Sequence, residues 1–490
     1  MDYLDPKKQS RHRLVLFVGY LFVGVAIVIA SLVLLYQAYG FGITRNGTVI
    51  QNGLVFISSQ PKPADIYLNG QFNKARTNTR LVLPAGLYDV QIKQAGYHSW
   101  QRSIDLAGAS VLHLDYPFLV PTSLKTSKVQ TFSATPSLAT QSPDRRWLVV
   151  ARPDSITSFD IYDLKNPAKL PLAISLPASV VTAATTSQSW QLGEWADDNT
   201  HLLLQHLYDG KSEYILVDRT AAEQSVNLST TLNTTPSKLG LVDKKYDQYY
   251  LYDAAAKTIT TASLGAPAPA AFLQHVLAFQ PYSSDTVLYA TDNGVENGRV
   301  TIKLLSGGTT YTIRSFAAGS TYLLDLTEYS GVLHVAAGST ADNKVYIYRD
   351  PIAQISAGNN RLPTPAQVLH LNQPNYISFS HSAQLIMAEN GSQFGTYDLE
   401  NKRGYNYVAP LQLDGPQTHA SWMDGNRIVY VSGAKLVMFD YDQHNQQLLM
   451  AASPNYLPFF APDYSFVQTF ALGGAENQLS LTQTSLLVKK

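Results

Sequence analysis

LVLFVGYLFVGVAIVIASLVLLY, residues Leu14–Tyr36, is 23 residues long and carries no charged side chain. At about 1.5 Å per residue, a helix of this length spans about 35 Å and crosses a hydrocarbon core of roughly 30 Å. A core helix of a soluble protein is usually shorter and has a polar face. A cleaved signal peptide is the better rival, with cleavage after Ala30, but the apolar run continues to Leu35, past the usual 7–15 residues. The stretch predicts an uncleaved membrane anchor.

The charges that flank this stretch predict its orientation. Four cations precede it (Lys7, Lys8, Arg11 and Arg13), whereas only Arg45 lies within about 20 residues on the far side. Positive charges stay on the cytoplasmic side of a membrane. The N-terminus, 1–13, is therefore expected in the cytoplasm, and everything after Phe41 is expected outside the cell membrane.

Composition limits what the remaining residues can do. Lys plus Arg and Asp plus Glu both number 36, so the net charge is zero, which argues against nucleic-acid binding. Cys is absent, which excludes disulfides, thiolate nucleophiles and cysteine-based zinc sites. Tyr numbers 30, a composition typical of strand-rich proteins. Stability outside the cell must then come from packed sheets rather than from disulfides.

After a Gly- and Asn-rich juxtamembrane linker (37–53), residues 54–116 form a series of short strand patterns separated by turn signals. Leu54–Ser58, Ala64–Leu68 and Leu87–Ile92 read as strands, and Asn69-Gly70 between two of them is a hairpin turn signal. Short strands at this spacing predict a small antiparallel β-sandwich.

These residues resemble a PEGA domain. The resemblance rests on Pro63–Gly70 (PADIYLNG), Leu83–Tyr88 (LPAGLY), Gly96-Tyr97 and Trp100. Of the turn that gives the family its name, Pro84 and Gly86 are kept, while Ala85 and Leu87 replace the other two residues. The resemblance implies a surface-associated β-domain of bacterial proteins with no catalytic motif, so no functional residue carries over.

A second linker is predicted over 117–133, and from residue 134 to 490 the chain repeats itself. Each unit has a turn with an aromatic residue and an Asp, a very apolar strand, and an alternating strand that often ends in Tyr-Asp. The first unit shows the pattern in Trp147–Val150 and Phe159–Asp163, and the seventh in Ile428–Val431 and Leu436–Asp440. Eight units at roughly 37–54-residue spacing fit four-stranded blades, so we expect a seven- or eight-bladed β-propeller in an all-β chain. Whether Val129–Ser133 pairs with the last blade is left open.

The repeats are similar to the WD40-like propeller repeats of TolB-type bacterial proteins, through Ser142-Pro143-Asp144 and Ala461-Pro462-Asp463. The Gly-His and late Trp-Asp pairs of true WD40 blades are missing. Asp197 and Asp424, each two residues after a Trp, are expected to cap their turns by accepting backbone N–H bonds.

No motif for catalysis or for a cofactor is present. The sequence lacks a Gly-x-Ser-x-Gly elbow, an HExxH pair, a P-loop and a GxGxxG turn after a strand. His201 and His206 are close, but their odd separation on a strand points them to opposite faces. We therefore assign no catalytic, cofactor-binding or metal-binding residue and expect no cofactor.

The predicted function is that of a membrane-anchored extracytoplasmic scaffold whose propeller binds a protein or a cell-surface glycan. The alternative is an envelope polysaccharide lyase or glycoside hydrolase with its site in the propeller channel. Two carboxylates about 5–10 Å apart in the channel, one with a raised pKa, would favour the enzyme.

Overall fold

The computed structural model describes residues 6–38, 40–43, 49–358, 361–415, 419–473 and 478–488. Asp2 and Asp5 of the predicted tail, and Arg45 of the predicted linker, lie outside the described residues. The chain divides into two compact units, Met1–Ser123 and Leu124–Lys490.

The first element, helix α1, covers Pro6–Ala38 and so begins before the apolar stretch. Its segment Ser10–Tyr36 is long enough and apolar enough to cross a membrane, with a mean hydropathy of 2.7. None of that segment is buried against the rest of the chain, and Phe22 is 70% exposed. The helix is therefore a candidate membrane span or signal sequence.

Eight strands form two four-stranded sheets in the first unit. Sheet A consists of β1 (Phe41–Ile43), β2 (Val49–Ile57), β5 (Thr79–Pro84) and β8 (Val111–Leu114). Sheet B has the order β4 (Gln71–Arg76), β3 (Asp65–Leu68), β6 (Gly86–Lys93) and β7 (Trp100–Leu106).

The core of this unit is filled by alternate residues of its strands. Val55 and Ile66 are fully buried, and Trp100 is 1% exposed. Two features differ from the prediction. Strand β8 pairs with β2 in parallel, so sheet A is mixed rather than antiparallel. Strands β1 and β2 already pair over residues 41–51, inside the predicted linker over 37–53.

The second unit contains eight antiparallel four-stranded sheets, numbered here 1 to 8 along the chain. Each of sheets 1 to 4 consists of four strands that are consecutive in the chain. Sheet 1 contains β10 (Ala139–Gln141), β11 (Trp147–Ala151), β12 (Ser158–Asp163) and β13 (Leu172–Ser175), and sheet 2 contains β14 (Gln188–Trp195), β15 (His201–Tyr208), β16 (Lys211–Asp218) and β17 (Val226–Asn227). Sheet 3 contains β18 (Lys238–Leu241), β19 (Gln248–Asp253), β20 (Thr258–Ser263) and β21 (Ala270–Gln274), and sheet 4 contains β22 (Ala278–Ser283), β23 (Thr286–Thr291), β24 (Arg299–Ser306) and β25 (Thr309–Ala317).

Sheets 5 to 8 follow the same order, except that the last is completed from the start of the unit. Sheet 5 contains β26 (Tyr322–Tyr329), β27 (Val332–Ser339), β28 (Lys344–Arg349) and β29 (Gln367–His370), and sheet 6 contains β30 (Tyr376–Phe379), β31 (Leu385–Glu389), β32 (Gln393–Asp398) and β33 (Arg403–Val408). Sheet 7 contains β34 (Ser421–Trp422), β35 (Arg427–Ser432), β36 (Lys435–Asp440) and β37 (Gln447–Ala451). Sheet 8 contains β38 (Phe459–Phe460), β39 (Phe466–Gly473), β40 (Gln478–Ser485) and β9 (Lys125–Thr131). Helical segments are few: the helices α2 (Leu228–Thr231) and α3 (Pro351–Ala357), and the 3-10 turns Ala222–Gln224 and Val242–Lys244.

Neighbouring sheets share apolar cores, as stacked blades must, since one sheet cannot bury both of its faces. Between sheets 1 and 2, the rings of Phe159 and Trp190 lie 5.7 Å apart. Leu148 of sheet 1 shares a core with Phe459 and Phe470 of sheet 8, so the last sheet packs against the first. The arrangement is propeller-like.

The sequence left open whether Val129–Ser133 pairs with the last blade, and the pairing of strand β9 decides this. This strand pairs antiparallel with β40 along Lys125–Thr131, and Gln130 lies opposite Leu481. The predicted linker over 117–133 therefore contains the outer strand of sheet 8. The first strands of consecutive sheets contact one another, as in β22–β26 and β26–β30, which makes them the inner strands.

Candidate functional site

A cleft of about 640 Å³ lies beside helix α3, between sheets 5 and 6. Its size is within the range of ligand pockets, about 300–1,000 Å³. Its walls are formed by strand ends and the segments that follow them: His334, Arg349, Asp350, Ala353, Gln354, Ala357, Thr364, Ala366, Tyr397, Leu399 and Lys402.

Helix α3 forms one wall, and the local sequence explains why it is there. Asp350 adopts a left-handed conformation (φ 46°), and its carboxylate accepts a hydrogen bond from the Ala353 N–H at 3.1 Å. Pro351 at the first helical position suits a fixed φ and needs no N–H partner. Ile355 is buried in the core, which leaves Ala353 and Ala357, one turn apart, to line the cleft.

The chain that leaves α3 is held against it by Gln354. The Gln354 amide donates to the Arg349 carbonyl at 2.7 Å, and its oxygen accepts the Thr364 N–H at 2.9 Å. This fixes the width of the cleft on the side of sheet 5.

Two cations at the cleft form no ion pair. Arg349 and Lys402 are both exposed, and neither has an acidic group within 4 Å among the residues that the structure describes. Asp350 is the acidic residue in the lining, so the lining carries two cations and one carboxylate. The cleft thus offers two cations above walls of Ala and Leu side chains.

His334 adds a neutral polar group. Its Nδ1 lies 2.9 Å from the Val332 carbonyl oxygen, so Nδ1 carries the proton in the neutral ring. Burial lowers the pKa of His334 and nearby Arg349 lowers it further, although the hydrogen bond to Val332 acts in the opposite direction. The ring therefore stays neutral near pH 7.

Beside His334, a hydrogen bond joins sheets 5 and 6. The Tyr329 hydroxyl donates to a Glu400 carboxylate oxygen at 3.1 Å, and the Tyr329 ring lies 6.5 Å from that of His334. Burial raises the pKa of Tyr329, and the Glu400 carboxylate raises it further. The phenol thus stays protonated and keeps the two sheets together at the cleft.

A second polar cluster is centred on two buried side chains of sheet 2, His206 and Glu213. His206 is fully buried, and its Nδ1 lies 2.9 Å from Glu213 Oε1. Glu213 also accepts the Thr182 N–H, the Thr182 hydroxyl and the Asn227 amide at 2.7–2.8 Å. Glu213 thus gathers donors from three residues, whereas His206 Nε2 is buried without a partner among the described residues. The bonds to Glu213 give this cluster a structural role.

A third group of titratable side chains lies where sheets 6 and 7 meet. His419 Nδ1 is 3.0 Å from Glu389 Oε1, and its ring stacks on Tyr376 at 4.3 Å. Elsewhere, on the inner strand β26 of sheet 5, burial raises the pKa of Asp325 to about 6, although the N–H groups of Phe379 and Leu326 act against this rise. Among the described residues, no group of three His, Cys, Asp or Glu side chains is placed to hold a metal ion.

The aspartates that the sequence singled out lie mostly in turns, as predicted. Asp144, Asp424 and Asp463 each accept an N–H two residues further on. The prediction for Asp197 is wrong, because its neighbour Asp198 accepts the N–H groups of Thr200 and His201 instead. None of these aspartates lines the cleft.

The two histidines of β15 do face opposite ways. His201 stacks on Tyr246 at 3.9 Å, whereas His206 stacks on Trp190 at 4.9 Å. The cleft itself was missed from the sequence. Asp350-Pro351 after a strand is a helix-start signal that would have revealed α3.

Comparison with known proteins gives a family match in the first unit and a set of similar solved structures. The solved structures similar to this chain include Kluyveromyces lactis Hsv2 (12% identity, TM-score 0.39, 64% of this chain and 97% of that one). They also include the Cps50 (Swd1) β-propeller domain of Myceliophteria thermophila (14%, 0.39, 67% and 100%) and an oligogalacturonate lyase in complex with manganese (10%, 0.38, 74% and 98%). No curated protein matches the chain. Residues 52–119 match the PEGA domain family.

Proposed function

We propose that this chain is a bacterial envelope scaffold: a single-pass protein with its N-terminus in the cytoplasm, which presents a binding β-propeller outside the cell membrane. Helix α1 is the anchor, and the PEGA-like unit (54–116) follows it. We infer eight blades for residues 134–490, with the outer strand of the last blade supplied by β9. Eight consecutive four-stranded sheets, the last packed on the first, support this count.

The observation that carries the binding function is the cleft beside α3. The lining has two cations that form no ion pair and one carboxylate, so it is net positive above apolar walls and suits a partner that brings acidic groups and small apolar side chains. Tyr397 is the aromatic residue of the lining, and at 4% exposed it offers no ring face for a sugar to stack on. The cleft therefore favours a protein partner with an acidic segment over a glycan.

The test uses the full chain in lipid nanodiscs. Binding partners are captured from an envelope extract, identified by mass spectrometry, purified, and titrated against the wild type and the double variant R349Q/K402Q. We expect binding at least tenfold weaker in the variant and a wild-type affinity that falls with salt. K165Q/K169Q, the same change in charge between β12 and β13 of sheet 1, is the matched control. Equal affinity of both variants would rule out the cleft, and capture of glycans alone would rule out a protein partner.

The second candidate is a polysaccharide lyase or glycoside hydrolase in the channel. It is supported by Asp325, a carboxyl group on an inner strand whose pKa burial raises to about 6. A general acid needs such a pKa. Turnover on a panel of acidic and neutral polysaccharides, lost in D325N, would replace the scaffold function with this one.

A further inference from the structure

The outer face of sheet A carries apolar side chains where a β-sandwich usually places polar ones. Strand alternation points Val55 and Ile57 into the core, so Leu54 and Phe56 point outward. Leu54 lies between Val82 of β5 and Val111 of β8, which are 66% and 56% exposed. These three side chains form a continuous apolar row.

The next row of the same face is amphipathic. Phe56 lies between Arg80 and His113, and its ring stacks on that of His113 at 4.9 Å. Arg80 is exposed and has no acidic group within 4 Å among the described residues. We call Leu54, Phe56, Arg80, Val82, Val111 and His113 together the sheet A outer face.

This face begins close to the end of the apolar helix. Phe41 of β1 pairs with Gln51 of β2, and its ring stacks on Tyr36, the last residue of the apolar stretch, at 4.8 Å. Leu54 follows Gln51 by three residues on the same strand, about 10 Å at 3.3 Å per residue. Strand β2 runs antiparallel to β1 and continues from Gln51 past the start of β1, so the apolar row lies on the side of β1 where the helix ends. With α1 as the anchor, this is the side of the membrane interface.

We propose that the sheet A outer face lies on the lipid surface next to the anchor. The Leu54, Val82 and Val111 side chains enter the boundary between headgroups and acyl chains, and the Arg80 guanidinium binds lipid phosphate, which it fits with paired N–H donors. The inference rests on the proposed membrane anchoring by α1. It adds that the first unit is held flat on the bilayer rather than free in solution.

The absence of Cys permits a direct test, since single cysteines can be introduced without background. V82C and V111C report on the face, S103C on the exposed side of β7 is the matched control, and G24C in the middle of α1 reports on the anchor. Each full-length variant is spin-labelled in vesicles of three parts phosphatidylcholine to one part phosphatidylglycerol. Collisions of the label with lipid-soluble oxygen and with a water-soluble nickel complex are compared.

We expect an oxygen-to-nickel collision ratio at positions 82 and 111 at least threefold above that at 103 and below that at 24. Equal ratios at 82, 111 and 103, with a high ratio at 24, would overturn the lipid contact but leave the anchor standing. A low ratio at 24 would overturn the anchor itself. Dipolar broadening between labels at position 82 would show that a second copy covers the face, which also overturns the proposal.

Discussion

At the scale of single residues, side chains on the inner strands bond to the next sheet. A Glu194 carboxylate oxygen accepts the Leu241 N–H, Asp325 accepts the Phe379 N–H at 2.9 Å, and the Trp422 indole donates to Ser378. An unpaired backbone N–H in such a place costs about as much as a lost hydrogen bond. These contacts fix how the sheets meet near the axis.

Asp325 is expected to make stability depend on pH. Because burial raises the pKa of Asp325 from 3.8 to about 6, the folded state holds the proton more tightly than the unfolded state. The free energy of unfolding is therefore highest below about pH 4, where Asp325 is protonated in both states, and it falls as the pH rises through about 6. At 1.36 kcal/mol per pKa unit, the total decrease is up to about 3 kcal/mol. D325N cannot ionise, so its urea midpoint should change less than that of the wild type between pH 4 and 7. D463N is the control, because it removes a different carboxylate and should keep the pH dependence of the wild type. Equal dependence of the urea midpoint on pH in D325N and wild type would contradict the prediction.

The buried His206–Glu213 pair is expected to be important for folding rather than for chemistry. Burial acts to raise the pKa of Glu213, but hydrogen bonds from Thr182, His206 and Asn227 outweigh it and lower the pKa. E213A leaves the fully buried His206 ring without its partner and removes the acceptor of Thr182 and Asn227, so it should lower the free energy of unfolding by about 3 kcal/mol. H206F keeps the stack on Trp190 and should cost less. Urea unfolding followed by tryptophan fluorescence measures both, and a neutral E213A would contradict this role.

At the scale of elements, β9 is the strand that joins the two ends of the second unit. The Thr126 and Thr484 hydroxyl oxygens, on β9 and β40, lie 2.8 Å apart. T126C/T484C should therefore form a disulfide under mild oxidation, and because the loop it closes is long, the oxidised form should gain about 3–5 kcal/mol over the reduced one. Gel mobility and urea midpoints measure this, with the reduced protein as control. Failure to form the bond in folded protein would mean that β9 does not close sheet 8.

Elements also show what the sequence could not predict. The apolar strands such as β11 and β35 were predicted because a strand covered on both faces must be apolar along its length. Strand β9 is polar except for Val129, so only its pairing with β40, far along the chain, identifies it as a strand. Strand β4, at the edge of sheet B, was also not predicted, since Gln71–Arg76 lacks alternating apolar residues and only its pairing with the adjacent β3 identifies it. Local apolar patterns reveal buried strands, whereas polar edge strands are identified by the strands with which they pair.

At the scale of the whole molecule, the cleft depended on residues that only the fold brings together. Arg349 is the last residue of β28 and Lys402 follows β32, and each alone looks like an ordinary surface cation. That both line one cleft becomes visible once sheets 5 and 6 are packed side by side. The apolar helix was easier to predict, because its apolar length is encoded in consecutive residues.

The last prediction concerns the orientation of the whole chain in the membrane. Lys7, Lys8, Arg11 and Arg13 precede the apolar stretch, and positive charges resist transfer across a membrane. In intact cells, a membrane-impermeant maleimide should therefore label S103C and spare S10C, and lysis should expose both. Replacing the four cations with Gln removes the bias and should give mixed labelling of S10C. Labelling of S10C in intact cells with the cations in place would reverse the orientation, and the cleft and the sheet A outer face would then meet cytoplasmic partners.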